Sequence, residues 1–143
     1  MSLAPFAERM HELAQRDPEL LRAYAKYLMQ AYRSQRSVYF IPPAAPMEAA
    51  LGRLLQTDPQ NRRLYHLNLA ELAWDRGDDP GCLRLGQAAF DPDTARSGPI
   101  QFALDQAAPE IVLTRMIETL LRAGKLGEAW DLCEQARAGG YID

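Results

Sequence analysis

Residues Arg63 to Pro92 read RLYHLNLAELAWDRGDDPGCLRLGQAAFDP, and they contain two helical segments back to back. The first carries Leu69, Ala70 and Ala73, and the second carries Cys82, Gly86 and Ala89, each set at the spacing that brings residues to one side of a helix. Gly77 marks the turn between them. Pro80 opens the second helix, where its missing N–H costs nothing.

The same offsets return near the C-terminus as Met116, Ile117, Leu120, Gly124, Ala129, Cys133 and Ala136, so that each member lies 47 residues after its counterpart. One set of offsets arises easily by chance; two in register do not. The pattern resembles the tetratricopeptide repeat, a helical hairpin of about 34 residues with large or small apolar residues at fixed offsets and a closing proline. Residues 124–136, GKLGEAWDLCEQA, form its most family-like piece. The resemblance implies an all-α chain, a right-handed α-solenoid of antiparallel helix hairpins with about seven to eight helices, forming a single domain over residues 1–143.

Asp-Pro recurs at 17–18, 58–59 and 91–92 and marks the repeat boundaries, because Asp caps a helix and Pro is tolerated in its first turn. The divisions are a half repeat at 3–17, hairpins at 18–57, 59–91 and 109–138, and an extra segment at 93–108. In the half repeat, Leu3, Phe6, Met10 and Leu13 make one apolar stripe. The helix after Pro18 carries Leu20, Leu21, Tyr24, Tyr27, Leu28 and Ala31, and its partner carries Met47, Leu51 and Leu54. In the extra segment, Gly98-Pro99 followed by IQFALDQAA reads as a short added helix, and Gly139-Gly140 closes the last one.

Pro18 and Pro59 are 41 residues apart, longer than the family spacing, and the excess is SVYFIPPAAP, Ser37 to Pro46. Val38, Tyr39, Phe40 and Ile41 are apolar β-formers in a place where hairpin loops are short and polar. Two readings stand: a loop folded back over its own hairpin, or a contact patch for a partner or a neighbouring copy built on Tyr39, Phe40 and Ile41.

The chain has 143 residues, 48% hydrophobic and 24% charged, the balance of a globular domain rather than a disordered one. A net charge of -3 gives no basic face for nucleic acid. No apolar run approaches the roughly 20 residues that span a bilayer, and the opening residues lack the pattern of a secretory signal, so a soluble, cytoplasmic chain without membrane partners is expected. Cys82 and Cys133 fall at packing positions, too few for a disulfide framework and too far apart for a metal knuckle. His11-Glu12 begins like a zinc-protease motif, but Gln15 stands where its second histidine belongs. His66 has no partner set for acid–base work. No cofactor, metal or enzymatic activity is therefore expected.

Binding by the family is implied to run through a concave groove lined by the first helix of each pair. Carried over, this presents Arg22, Ala25, Met29, Tyr32 and Arg33, then Leu67, Glu71, Trp74 and Asp75, then Ile111, Thr114, Glu118 and Arg122. Leu67 and Glu71 stand where a clamp for a peptide's terminal carboxylate wants cations or amides, so chaperone-tail binding is not expected. The resulting expectation is an adaptor or scaffold that holds a peptide or helix of a protein partner. The alternative is a structural or self-associating segment of a larger protein, with its groove filled in cis or by a sister copy. A homodimer through the terminal helices belongs to that second reading, because Trp130 lies in a last helix with no capping helix after it.

Overall fold

Asp17 shows how the chain starts its helices. Its backbone is extended, its carboxylate accepts from the N–H groups of Glu19 at 3.0 Å and Leu20 at 3.4 Å, and Pro18 takes the first helical position. The computed structural model describes residues 4–91 and 109–138, with side chains from residue 8 onward. Its elements in order are α1 (Ala4–Ala14), α2 (Pro18–Gln35), α3 (Ala45–Thr57), a 3-10 turn (Pro59–Asn61), α4 (Arg62–Asp75), α5 (Asp79–Ala89), α6 (Pro109–Arg122) and α7 (Leu126–Ala138). The protein is all-α, and no strand occurs among the described residues. The expected helix after Pro99, the Gly139-Gly140 cap, Leu3, the Phe6 side chain and Pro92 lie outside them.

The turns from α4 to α5 and from α6 to α7 use the same device. Gly77 adopts φ +80° and Gly124 φ +75°, a left-handed backbone that a Cβ would strain. In each case the next residue bonds back five positions, Asp78 N to Ala73 O and Lys125 N to Leu120 O, both at 2.9 Å. The two turns, 47 residues apart, thus share a local geometry, the Schellman closure of a helix end, with Gly77 N and Gly124 N also donating to Trp74 O and Leu121 O. Asp78 then caps α5, its Oδ1 accepting from Gly81 N at 3.0 Å. The backbone hydrogen bond from Gly81 is the main cause holding its carboxyl below the ordinary aspartate value.

α4 is the centre of the packing. Leu64, Tyr65 and Leu72 join a core with Leu21, Met29, Leu51 and Leu54, while Leu67, Ala70 and Ala73 join a second core with Phe90, Val112, Met116 and Leu132. Burial on both flanks explains why α4 shows little of the one-sided patterning of α2 and α6. Each fully buried side chain of this kind contributes about 1.5–3 kcal/mol. Gly86 lets α5 approach α6 closely, since a Cβ there would lie 2.2 Å from Met116 Sδ and force that side chain to shift.

The inward stripes are rotated from the expected ones in the first two helices. Leu13 and Tyr27 are exposed, whereas Ala14 and Met29 are fully buried. Both helices carry apolar residues around more than one face, and the neighbours decide which face is covered. In α2 the buried set is Leu21, Tyr24, Ala25, Met29 and Tyr32.

Candidate functional site

Side chains along α2 pair in step with those of the segment that runs from Asp58 through α4. Near the beginning of both, Arg22 lies 3.5 Å from Asp58, which also accepts from Tyr65 Oη and from Asn61 Nδ2. Burial, with the Asp58 hydrogen bond behind it, pushes the Tyr65 phenol well above its ordinary range. Further along, Arg33 donates from Nε and Nη2 to the two oxygens of Glu71 at 3.3 and 2.7 Å, and from Nη2 to Asn68 Oδ1 at 2.7 Å. One turn on, Arg36 Nη1 donates to Glu71 at 2.9 Å and to Asp75 at 2.7 Å, and Tyr32 Oη donates to Asp75 at 2.7 Å.

This network is largely withdrawn from water: the side chains of Arg33 and Glu71 are 11% and 15% exposed. Burial and the Asp75 carboxylate raise the Tyr32 phenol far above its normal value, so it remains a donor. Burial works against the Arg36 guanidinium, but its hydrogen bonds to Asp75 and Glu71 outweigh that and raise it overall. A fork-to-carboxylate pair of this geometry fixes orientation as well as adding energy.

Beyond the network a cleft of about 190 Å³ opens between α2, α4, α5 and α6. Arg33, Arg36, Ala70, Glu71 and Cys82 line it together with Ile111, Val112 and Arg115 of α6. Arg115 and Arg122 both lie over the indole of Trp74, with guanidinium carbons 4.7 and 5.5 Å from the ring centroid. Burial pushes the Cys82 thiol up to about 11, so it is a neutral apolar group at pH 7.

Of the expected groove residues, Arg33, Glu71 and Ile111 line this cleft, and Trp74 and Arg122 come together beside it. Met29, Tyr32 and Leu67 do not present their side chains to an open groove: Met29 is 0% exposed, and Leu67 belongs to the second core. The physical reason is that α4 lies beside the face of α2 that carries Met29 and Tyr32. Arg22 is taken up by Asp58, away from the cleft lining. Thr114 is exposed with its hydroxyl donating to Glu110 O at 2.9 Å, and Glu118 is exposed on the same stripe of α6 as Arg115 and Arg122 without lining the cleft.

Arg36 and Arg115 were not among the residues expected from sequence. The signal for both was periodicity: Arg36 follows Arg33 by one turn, and Ile111, Arg115 and Arg122 fall on one stripe of α6.

The segment after α2 points outward rather than over its own hairpin. Ser37 and Phe40 exchange backbone hydrogen bonds at 2.8 and 3.3 Å, and Tyr39 N donates to Ser37 Oγ at 3.2 Å, closing a tight turn. At its tip Val38 and Tyr39 are 92% and 95% exposed, and Phe40 and Ile41 are exposed behind them. Pro42 alone of this stretch is buried.

Among the described residues, no group of three or more His, Cys, Asp or Glu converges as a metal site would. No described helix is long and apolar enough to cross a membrane. His66 is half-buried with its Nδ1 unpartnered, and burial, followed by the charge of Arg62, lowers its pKa. Comparison of the chain with protein-family models, curated proteins and solved structures yields no match.

Proposed function

We propose that the chain is a protein-interaction module, an adaptor or scaffold of tetratricopeptide-like helical hairpins that holds a peptide or helix of a partner on the face shared by α2, α4 and α6. The observation that carries this reading is the cleft between those helices, with charged and apolar walls together. Such a mixed lining suits a peptide, whose apolar side chains supply area and whose polar groups fix direction.

Three further facts support an α-solenoid of antiparallel hairpins. The two glycine turns repeat at a 47-residue interval with the same hydrogen bonds. The pairings of α2 with α4 climb in step, as those of parallel first helices would. Ala70 with Val112 and Trp74 with Arg115 extend the same order to α6. The ordered apolar turn at Val38–Ile41 adds a contact surface of the kind that soluble proteins seldom leave bare without a use. A cytoplasmic setting fits two free thiols, Cys82 and Cys133.

The test is affinity capture from native extract with the parent protein, an Ile111→Glu variant and a Tyr27→Glu control, all confirmed helical. Ile111 is exposed and lines the cleft, while Tyr27 is exposed and lies outside its lining. A protein held by the parent and the control but lost with Ile111→Glu supports the adaptor. Equal capture by all three rejects the cleft as the binding face.

One observation favours the second reading, a self-associating segment. Leu126 and Trp130 stand one turn apart on α7 and are 68% and 67% exposed. Light scattering at high concentration separates the two: a dimeric mass lost with Trp130→Glu supports self-association, and a monomeric mass removes it.

A further inference from the structure

The arginines of the cleft are not equivalent. Arg33 and Arg36 are held by Glu71 and Asp75, whereas Arg115 has no carboxylate in ion-pairing range among the described residues. Its guanidinium carbon lies over the Trp74 ring, 4.7 Å from the centroid, and the indole offers no hydrogen-bond acceptor, so this contact leaves the guanidinium N–H groups unsatisfied. The lining sets three guanidinia against one carboxylate, Glu71, and Asp75 behind Arg36 reduces the excess to a single positive charge. Glu118 and Asp79, the nearby carboxylates of α6 and α5, do not line it. The rest of the wall, Ala70, Cys82, Ile111 and Val112, is apolar.

We propose that this cleft takes an acidic residue from within a partner's polypeptide, its carboxylate on Arg115 and the aliphatic residue beside it against Ile111 and Val112. The proposal rests on the protein-interaction reading and names the class of partner: an acidic–aliphatic peptide segment. The single excess charge matches one carboxylate. A phosphoryl dianion would bring a second negative charge up to Glu71, which is already in the wall. A partner's free terminus is not required, because the recognised group is a side chain.

The test uses the full chain and a displayed library of random dodecapeptides, each flanked on both sides by constant sequence so that no terminal carboxylate is offered. Selection is run on the parent and on Arg115→Gln, which keeps a hydrogen-bonding side chain and removes the charge; both are first matched in thermal melting. The expected result is enrichment of peptides with Asp or Glu next to an aliphatic residue on the parent and its loss on Arg115→Gln. The best peptide, made with blocked ends, is then titrated into a Trp130→Phe protein, in which Trp74 is the remaining one of the chain's two tryptophans. Its emission changes on binding, and replacing the peptide's acid by its amide weakens binding about tenfold, the loss of one charge-assisted hydrogen bond. Enrichment without a carboxylate, identical enrichment on Arg115→Gln, tighter binding of a phosphoserine peptide, or no enrichment at all each overturns the proposal. The adaptor reading is judged separately, by the capture experiment with Ile111→Glu, since a partner presenting a folded helix would pass that test and fail this one.

Discussion

Removing the Glu71 carboxylate tests the junction between α2 and α4. Glu71→Ala deletes the acceptor of hydrogen bonds from Arg33 at 3.3 and 2.7 Å and from Arg36 at 2.9 Å. Breaking a fully buried pair by truncating one partner costs about 3–5 kcal/mol, because the other charge stays behind uncompensated. Arg33 retains Asn68 and Arg36 retains Asp75, and the Arg36 side chain is 30% exposed, so water reaches part of the network. The cost is therefore discounted to about 2 kcal/mol. With a urea m-value of about 2 kcal/mol/M for a domain of this size, the unfolding midpoint followed by circular dichroism falls by about 1 M at unchanged slope. Arg33→Ala falls by a similar amount, and the double variant falls short of the sum, leaving a coupling energy of about 1 kcal/mol. A coupling below about 0.3 kcal/mol would mean that the pair behaves as an ordinary surface contact and that the junction rests on apolar packing alone.

Met29→Glu should fail to fold, because it places a charge at a site with 0% exposure, whereas Met29→Ala should fold with a loss of about 2–5 kcal/mol in chemical denaturation. Gly77→Ala and Gly124→Ala should each cost about 1–2 kcal/mol, since both turns need φ near +80° and +75°; a neutral result at either position refutes the shared turn geometry. Native protein treated with iodoacetamide should be labelled at half-buried Cys133 well before Cys82, whose thiol burial raises to about 11; equal rates would contradict its burial. Burial lowers the His66 pKa, so the unfolded chain binds the proton more readily. Stability should be full above the free-histidine value of about 6.5 and fall as pH drops through the lower folded value; His66→Gln should flatten that fall.

The helix ends were legible in the sequence because their signals are local. Asp17-Pro18, Gly77 and Gly124 each act within one turn of chain, and the observed helix ends lie within a residue or two of those marks. Which side of α2 faces inward was not legible. Tyr24, Tyr27, Leu28 and Met29 offer apolar surface around most of the helix, and the choice of Met29 over Tyr27 is made by neighbours brought from elsewhere in the chain. The candidate site was half legible for the same reason. Helical spacing placed Glu71 and Trp74 on one face, but that Arg33 is paired while Arg115 is not depends on distances between helices. The outward turn at Val38–Ile41 was visible as a composition anomaly, and only the exposure of its side chains in the folded chain decides that it stands away from the helices beside it.

The most direct measurement of the central claim places a photo-crosslinking amino acid at Ile111 on the cleft wall and, separately, at Tyr27 outside it, in the full chain within its native cells. The account predicts a discrete adduct with another protein at position 111 and none at position 27. An adduct of twice the chain's own mass, or crosslinks at 27 but not at 111, would contradict it.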